Sequence, residues 1–128
     1  MYGASTGFGL PPRATLLLAA LIVLWVSGFL SAVIDNIPYT AVTIPLVASL
    51  LGQLDAGPDG QVLWWALALG ACLGGNGTLI GAAANLTIAG IAERNGVAFR
   101  FVRFTLYAMP MMLVSIAICH IYVWWRYF

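Results

Sequence analysis

Asp35-Asn36-Ile37-Pro38 interrupts an otherwise apolar stretch and holds the chain's sole acidic residue lying away from loops and segment ends. A carboxylate at that depth costs at least about 2.5 kcal/mol on insertion scales, so it is expected to bind a cation, carry a proton or cap the helix that follows. A second polar interruption, Gly74-Gly75-Asn76-Gly77-Thr78, falls within another apolar stretch. Asn36, Asn76 and Asn85 offer amides that donate and accept, and Thr40, Thr43, Thr78 and Thr87 add hydroxyls. This set can line a polar path or bond helices to one another. No Ser/His/Asp set, zinc-ligand spacing or phosphate-binding loop is present, so the sequence gives an enzyme no anchor.

The elements that hold these groups follow from composition. With 62% hydrophobic and 7% charged side chains, the chain lacks the polar surface of a water-soluble domain, and a bilayer is its natural solvent. A net charge of +1 points to no nucleic acid. Cys72 and Cys119 read as small buried hydrophobes, and the amino terminus lacks the pattern of a cleaved signal peptide.

Residues 1–14 form a polar amino-terminal segment. Thr15 to Ile34 is uncharged and long enough to cross the hydrocarbon, whereas Tyr39 to Leu51 is worth only roughly 20 Å of helix before the wet loop at residues 52–60. A re-entrant hairpin over residues 15–51, with its tip at residues 35–38, accounts for the short second limb. Two ordinary spans joined at an interface are the competing arrangement. The uncharged stretch from Gln61 to Ala92 is too long for one helical span and too short for two. One membrane segment broken at the glycines is expected, with halves at Leu63 to Gly75 and Thr78 to Ala92. Small residues at Gly81, Ala82, Ala83, Ala84, Ala89 and Gly90 offer that second half a face for close packing.

A short amphipathic link from Val97 to Arg103 leads to a last span, Phe104 to Trp125, with Pro110 near its first turns and Tyr122, Trp124, Trp125 and Tyr127 as an aromatic belt. His120, near its exit, is expected to reach interfacial water. Arg94, Arg100 and Arg103 share one loop, while residues 52–60 carry Asp55 and Asp59 and no base. The positive-inside rule therefore puts residues 93–103 in the cytoplasm and the carboxy terminus on the opposite side. Arg13, on the outer side, votes against that arrangement.

The expected fold is an all-α membrane protein with a re-entrant helical hairpin, a broken transmembrane helix and a final transmembrane helix. Breaks that face each other near mid-membrane would form an ion site, anions meeting helix amino termini and cations meeting carbonyls. Asp35, Asn36, Thr40, Gly75, Asn76, Gly77, Thr78 and Asn85 are the candidate binding residues.

Three stretches carry a family resemblance: Ser31 to Pro45, Ala68 to Asn85 and Ala89 to Glu93. Together they resemble the carboxy-terminal end of the P protein-like branch of the ion transporter superfamily, also described as citrate-transporter-like or arsenite-permease-like. The resemblance covers about residues 15–125. It implies similarity to divalent-anion/sodium symporters built from two inverted repeats, each with a hairpin and a broken helix, in which a transport domain moves as an elevator. This chain would supply one repeat. The symporters' Ser-Asn-Thr hairpin tip falls on Asp35-Asn36-Ile37, where Asn36 matches, and their Thr-Pro-Pro-Asn turn falls on Ala82 to Asn85, where only Asn85 matches. The departures put dicarboxylate and sodium chemistry in doubt. The expected role is secondary transport of a small ion, an anion coupled to H+ or Na+, with no cofactor. A passive anion channel, a sodium/proton antiporter and a scaffold subunit are the alternatives. Expected partners are the lipid bilayer, the amino-terminal repeat of the same transporter and a second copy in a homodimer.

Overall fold

The computed structural model describes residue 9 and residues 11–128. Most of the polar amino-terminal segment, including the signal-peptide question, lies outside the described residues. The rest forms five α-helices and one short 3-10 helix: α1 (Pro12–Val33), α2 (Asn36–Leu54), the 3-10 turn Gly57–Gly60, α3 (Gln61–Gly74), α4 (Ala83–Arg94) and α5 (Phe101–Tyr127). Three of these, α1, α2 and α5, are long and apolar enough to cross a membrane.

Prolines and glycines set several boundaries. Pro12 opens α1, where its missing N–H costs no bond. Gly96, at φ 81°, ends α4 in a Schellman arrangement: Val97 N–H donates to Ala92 O at 2.9 Å and Gly96 N–H donates to Glu93 O at 3.1 Å. Pro110 lies in the third turn of α5, because the helix starts at Phe101 and absorbs the end of the expected amphipathic link. Within a helix that proline leaves the Leu106 carbonyl without its intrahelical donor.

The packing is organised around α1 and α3, the most extensive helix pair in the fold. Gly70 abuts Leu24 O and Ser27, and Gly74 abuts the backbone of Gly28. These paired contacts make α1 and α3 run parallel with their backbones nearly touching, the geometry that glycines four apart permit. Ser31 Oγ donates to Ala71 O at 2.7 Å across the same seam. In α2, which folds back along α1, the Tyr39 hydroxyl meets Ser27 Oγ at 2.9 Å. Antiparallel to α1 and α3, α5 seats Ile116 against Gly28, and its Met112 lies against Gly77. Leu24, Val47, Leu63, Met112, Ile116 and Val123 are fully buried between these helices.

The structure differs from the sequence reading in four places. The second limb has 19 residues rather than the thirteen counted from Tyr39 to Leu51, because Asn36-Ile37-Pro38 at its start and Gly52-Gln53-Leu54 at its end are also helical. Its length therefore gives no argument for re-entry. The second break spans residues 75–82, wider than expected, so Thr78 to Ala82 are not helical. His120 is half-buried between helices, and its Nδ1 accepts a hydrogen bond from Trp25 Nε1 at 3.0 Å instead of pointing to water. Cys72 is exposed and Cys119 half-buried, so neither is the fully buried hydrophobe expected.

The close-packing face also moved. On α4 a Cβ at Gly90 would meet nothing within 4 Å, whereas at Gly74 it would strike the Gly28 backbone. Backbone cannot yield as a flexible side-chain end can. Gly74→Leu is expected to separate α1 from α3 and lower stability by about 3 kcal/mol or more, against little change for Gly90→Leu, read as thermal unfolding in detergent.

Candidate functional site

The first break is only two residues long, Ile34 and Asp35. Ile34 N–H closes α1 on Leu30 O at 2.8 Å, and Tyr39 N–H returns to Asp35 O at 3.2 Å. Asp35 occupies the position before α2, yet its carboxylate makes no capping hydrogen bond. Among the described residues no hydrogen bond or ion pair reaches that half-buried carboxylate. Asn36, Ile37 and Pro38 are the first turn of α2 rather than part of the tip, and Thr40 stands half-buried in its second turn. Because Pro38 has no N–H, the free backbone donors at this helix start come from Asn36 and Ile37.

The second break wraps the end of α1. Thr78, buried, donates its hydroxyl to Ala32 O in a short hydrogen bond. A Cβ on Gly81 would lie 2.9 Å from Ala32 O and 3.0 Å from Ser31 O, and one on Gly75 would lie 2.9 Å from Gly81 O. Gly75 and Gly81 are therefore glycines because backbone passes against backbone there, and Gly77 because the Met112 side chain lies against it. Asn85, in the first turn of α4, sends Nδ2 to Gly75 O at 3.0 Å and Thr78 O at 3.1 Å, tying both ends of the loop to the half-helix beyond it.

This geometry sorts the eight candidates. Gly75 and Gly77 shape the loop, and Thr78 and Asn85 hold it with their donors. Both Asn85 N–H groups and the Thr78 proton are committed to carbonyls, so toward a ligand these two residues can only accept, through Oδ1 and Oγ1. Asn36 and Asn76 keep free amides, since neither makes a side-chain hydrogen bond among the described residues. Asn76 is exposed on the α5 side of the loop, in the wall of a cavity of about 600 Å³. The two breaks meet through the last turn of α1: Ser31 and Ala32 lie against the second, and Asp35 follows them in the first.

A model of the family described as citrate transporter matches residues 3–70, just over half of the chain and including the first break. The chain belongs to the citrate transporter family. Curated relatives extend the likeness through the second break. The chain is 45% identical over 123 residues to the P protein of Homo sapiens, covering 91% of this chain and 15% of that protein. It is 49% identical over 109 residues to an uncharacterized transporter of Mycobacterium tuberculosis, covering 85% of this chain and 25% of that protein. A 46 kDa membrane protein of Mycobacterium leprae is 42% identical over 111 residues, covering 87% of this chain and 26% of that protein. The chain thus spans about a quarter or less of the length of these relatives. No solved structure matches it.

Within this citrate transporter family chain, three features escaped the sequence reading. Gly81 was seen only as a small residue, although its place six residues after Gly75 in a helix-breaking stretch was the available signal. Ser31 was quoted without a role, and its bond to Ala71 depends on a pairing of helices that no local pattern encodes. Arg100 and Arg103 were read for topology alone, but both line the cavity beside Asn76. Replacing Asn85 with Leu is expected to leave the Gly75 carbonyl unpaired and Thr78 O with only the Gly81 N–H, and to cost about 2 kcal/mol, checked by thermal unfolding in detergent. Thr78→Val, which loses one donor and keeps its shape, should cost about half as much.

Proposed function

We propose that this chain is one repeat of a secondary transporter that moves a small ion across a membrane, with Asp35 at its coupling site. What carries the reading is the meeting of two helix breaks at one level of the bundle, beside a half-buried carboxylate with no partner among the described residues. Membership of the citrate transporter family and relatives whose printed names call them transporters support transport as the general activity.

A re-entrant hairpin still suits the geometry once length is set aside. The hairpin tip and the second break lie level with Met112, and α5 runs from there to Phe101, eleven residues or roughly 16 Å farther. A 27-residue helix spanning about 40 Å would then carry the breaks inside the bilayer, away from its amino-terminal face. Non-helical backbone at that depth needs cover, and α4, of which only Ala89 is buried, leaves room for the amino-terminal repeat of the same transporter. On this reading residues 93–103 face the cytoplasm, the carboxy terminus faces the other side, and the complete protein works as a homodimer.

The substrate follows from the atoms left free. Asp35, Asn85 Oδ1 and Thr78 Oγ1 are acceptors, which suit Na+ or a proton. An anion would then draw on the Asn36 and Asn76 amides and the N–H groups opening α2 and α4. An anion beside Asp35 needs that cation or proton first, which makes coupling a consequence of charge. Sodium/proton antiport is the second reading, favoured by the same surplus of acceptors.

Flux through the full-length protein in liposomes tests this. Saturable uptake driven by a sodium or pH gradient is expected, whereas current that simply scales with voltage would indicate a channel and no flux a scaffold. Asp35→Asn should abolish the gradient's effect, a coupling factor of about 5- to 150-fold, while leaving the protein folded. Unchanged coupling in that variant would remove Asp35 from the mechanism.

A further inference from the structure

We propose that the cavity beside the second break holds one anionic phospholipid, its phosphate at Arg100 and Arg103 and part of an acyl chain along α5. The cavity, of about 600 Å³, lies between the end of α3, the segment leading into α5 and the first four turns of α5. Its two arginines stand at one end, and no acidic side chain lines it. Neither arginine makes a hydrogen bond or an ion pair among the described residues. Both flank the start of α5, where the N–H groups of Phe101, Val102 and Arg103 precede the first helical bond, from Phe104 N–H to Arg100 O at 2.9 Å. Two guanidinium groups and a helix start together make a receptor for a phosphate.

Apart from Asn76 and Ser115 the remainder of the wall is largely apolar, with Phe104, Tyr107 and Met111 leading away from the charges toward Met112. A free inorganic anion has no use for such a wall, but a lipid tail does. The height agrees: Arg100 caps the end of a 27-residue apolar helix, where a bilayer presents its headgroups. Asp35 does not line this cavity, and lipid binding there does not depend on which ion the protein moves. Since the cavity reaches Asn76, an occupying lipid would brace the second break.

The test uses the full-length protein in neutral detergent, with native mass spectrometry counting bound lipid as dioleoylphosphatidylglycerol or dioleoylphosphatidylcholine is added. Retention of one phosphatidylglycerol and no phosphatidylcholine is expected. Arg100→Gln with Arg103→Gln should weaken retention about thirtyfold, and the Lys pair should restore most of it. Ala108→Trp, which fills the apolar wall and leaves the charges, should also reduce it. Equal retention of the two lipids, or no effect of the Gln pair, overturns the proposal. So does displacement of the lipid by inorganic phosphate at matched concentration. Protection of Arg103→Cys from a maleimide in lipid-free protein would assign the cavity to another part of the chain and overturn it as well.

Discussion

The backbone contact between α1 and α3 is the constraint on which the other features rest. Lipid tails are as apolar as leucine, so burial gives membrane helices little reason to associate, and close packing with interhelical hydrogen bonds must supply it. Gly70 and Gly74 let α3 approach until a side chain at either would strike backbone of α1, and Ser31 bonds across to Ala71. The register this sets brings the end of α3 level with Gly28, one turn before Ala32. From there Thr78 reaches the Ala32 carbonyl, and the two breaks share one place in the bundle.

That dependence explains which parts of the site were legible in the sequence. Asp35 and the glycine run at 74–77 announce themselves locally, as a charge and as poor helix formers amid apolar residues. Composition and hydropathy were enough for helical membrane segments. The end of α2 was not legible, because Gly52 and Gln53 look like loop residues, and only packing against the 3-10 turn, with Leu51 on Gly60, shows why the helix continues past them. The width of the second break was hidden for a similar reason. Residues 79–82 are apolar and compatible with helix, but Asn85 draws Gly75 and Thr78 together and Gly81 presses on α1, which holds the chain open. Trp25 with His120, ninety-five residues apart, is a pairing that no local pattern encodes.

The structure also changes the meaning of the polar residues without changing their membership. Read along the sequence, three asparagines and several threonines form an undifferentiated polar set. In the fold, Asn85 and Thr78 give up their donors to backbone that a helix break leaves exposed, as buried carbonyls in an apolar medium require. Thr43 and Thr87 turn back to carbonyls four residues earlier in their own helices. Asp35, Asn36 and Asn76 remain without such obligations. Membrane-embedded polarity therefore divides into groups whose donors repair the backbone, leaving only their acceptors for a ligand, and groups with every polar atom still free.

Counting the free groups leads to an asymmetric half-site. In the proposed site an ionised Asp35 would contribute a full negative charge, whereas the positive side would consist of amide donors and the partial charges at the starts of α2 and α4. Such donors cannot outweigh a carboxylate at the same place. An anion is stable there only after something neutralises Asp35, and a proton or a small cation does so without occupying the amides. In the transporter proposed above, the order of binding, cation before anion, would follow from which donors the fold has already used. A second repeat facing these breaks would add donors or a charge, and the sign of what it adds determines whether the pair moves an anion with a cation or exchanges two cations.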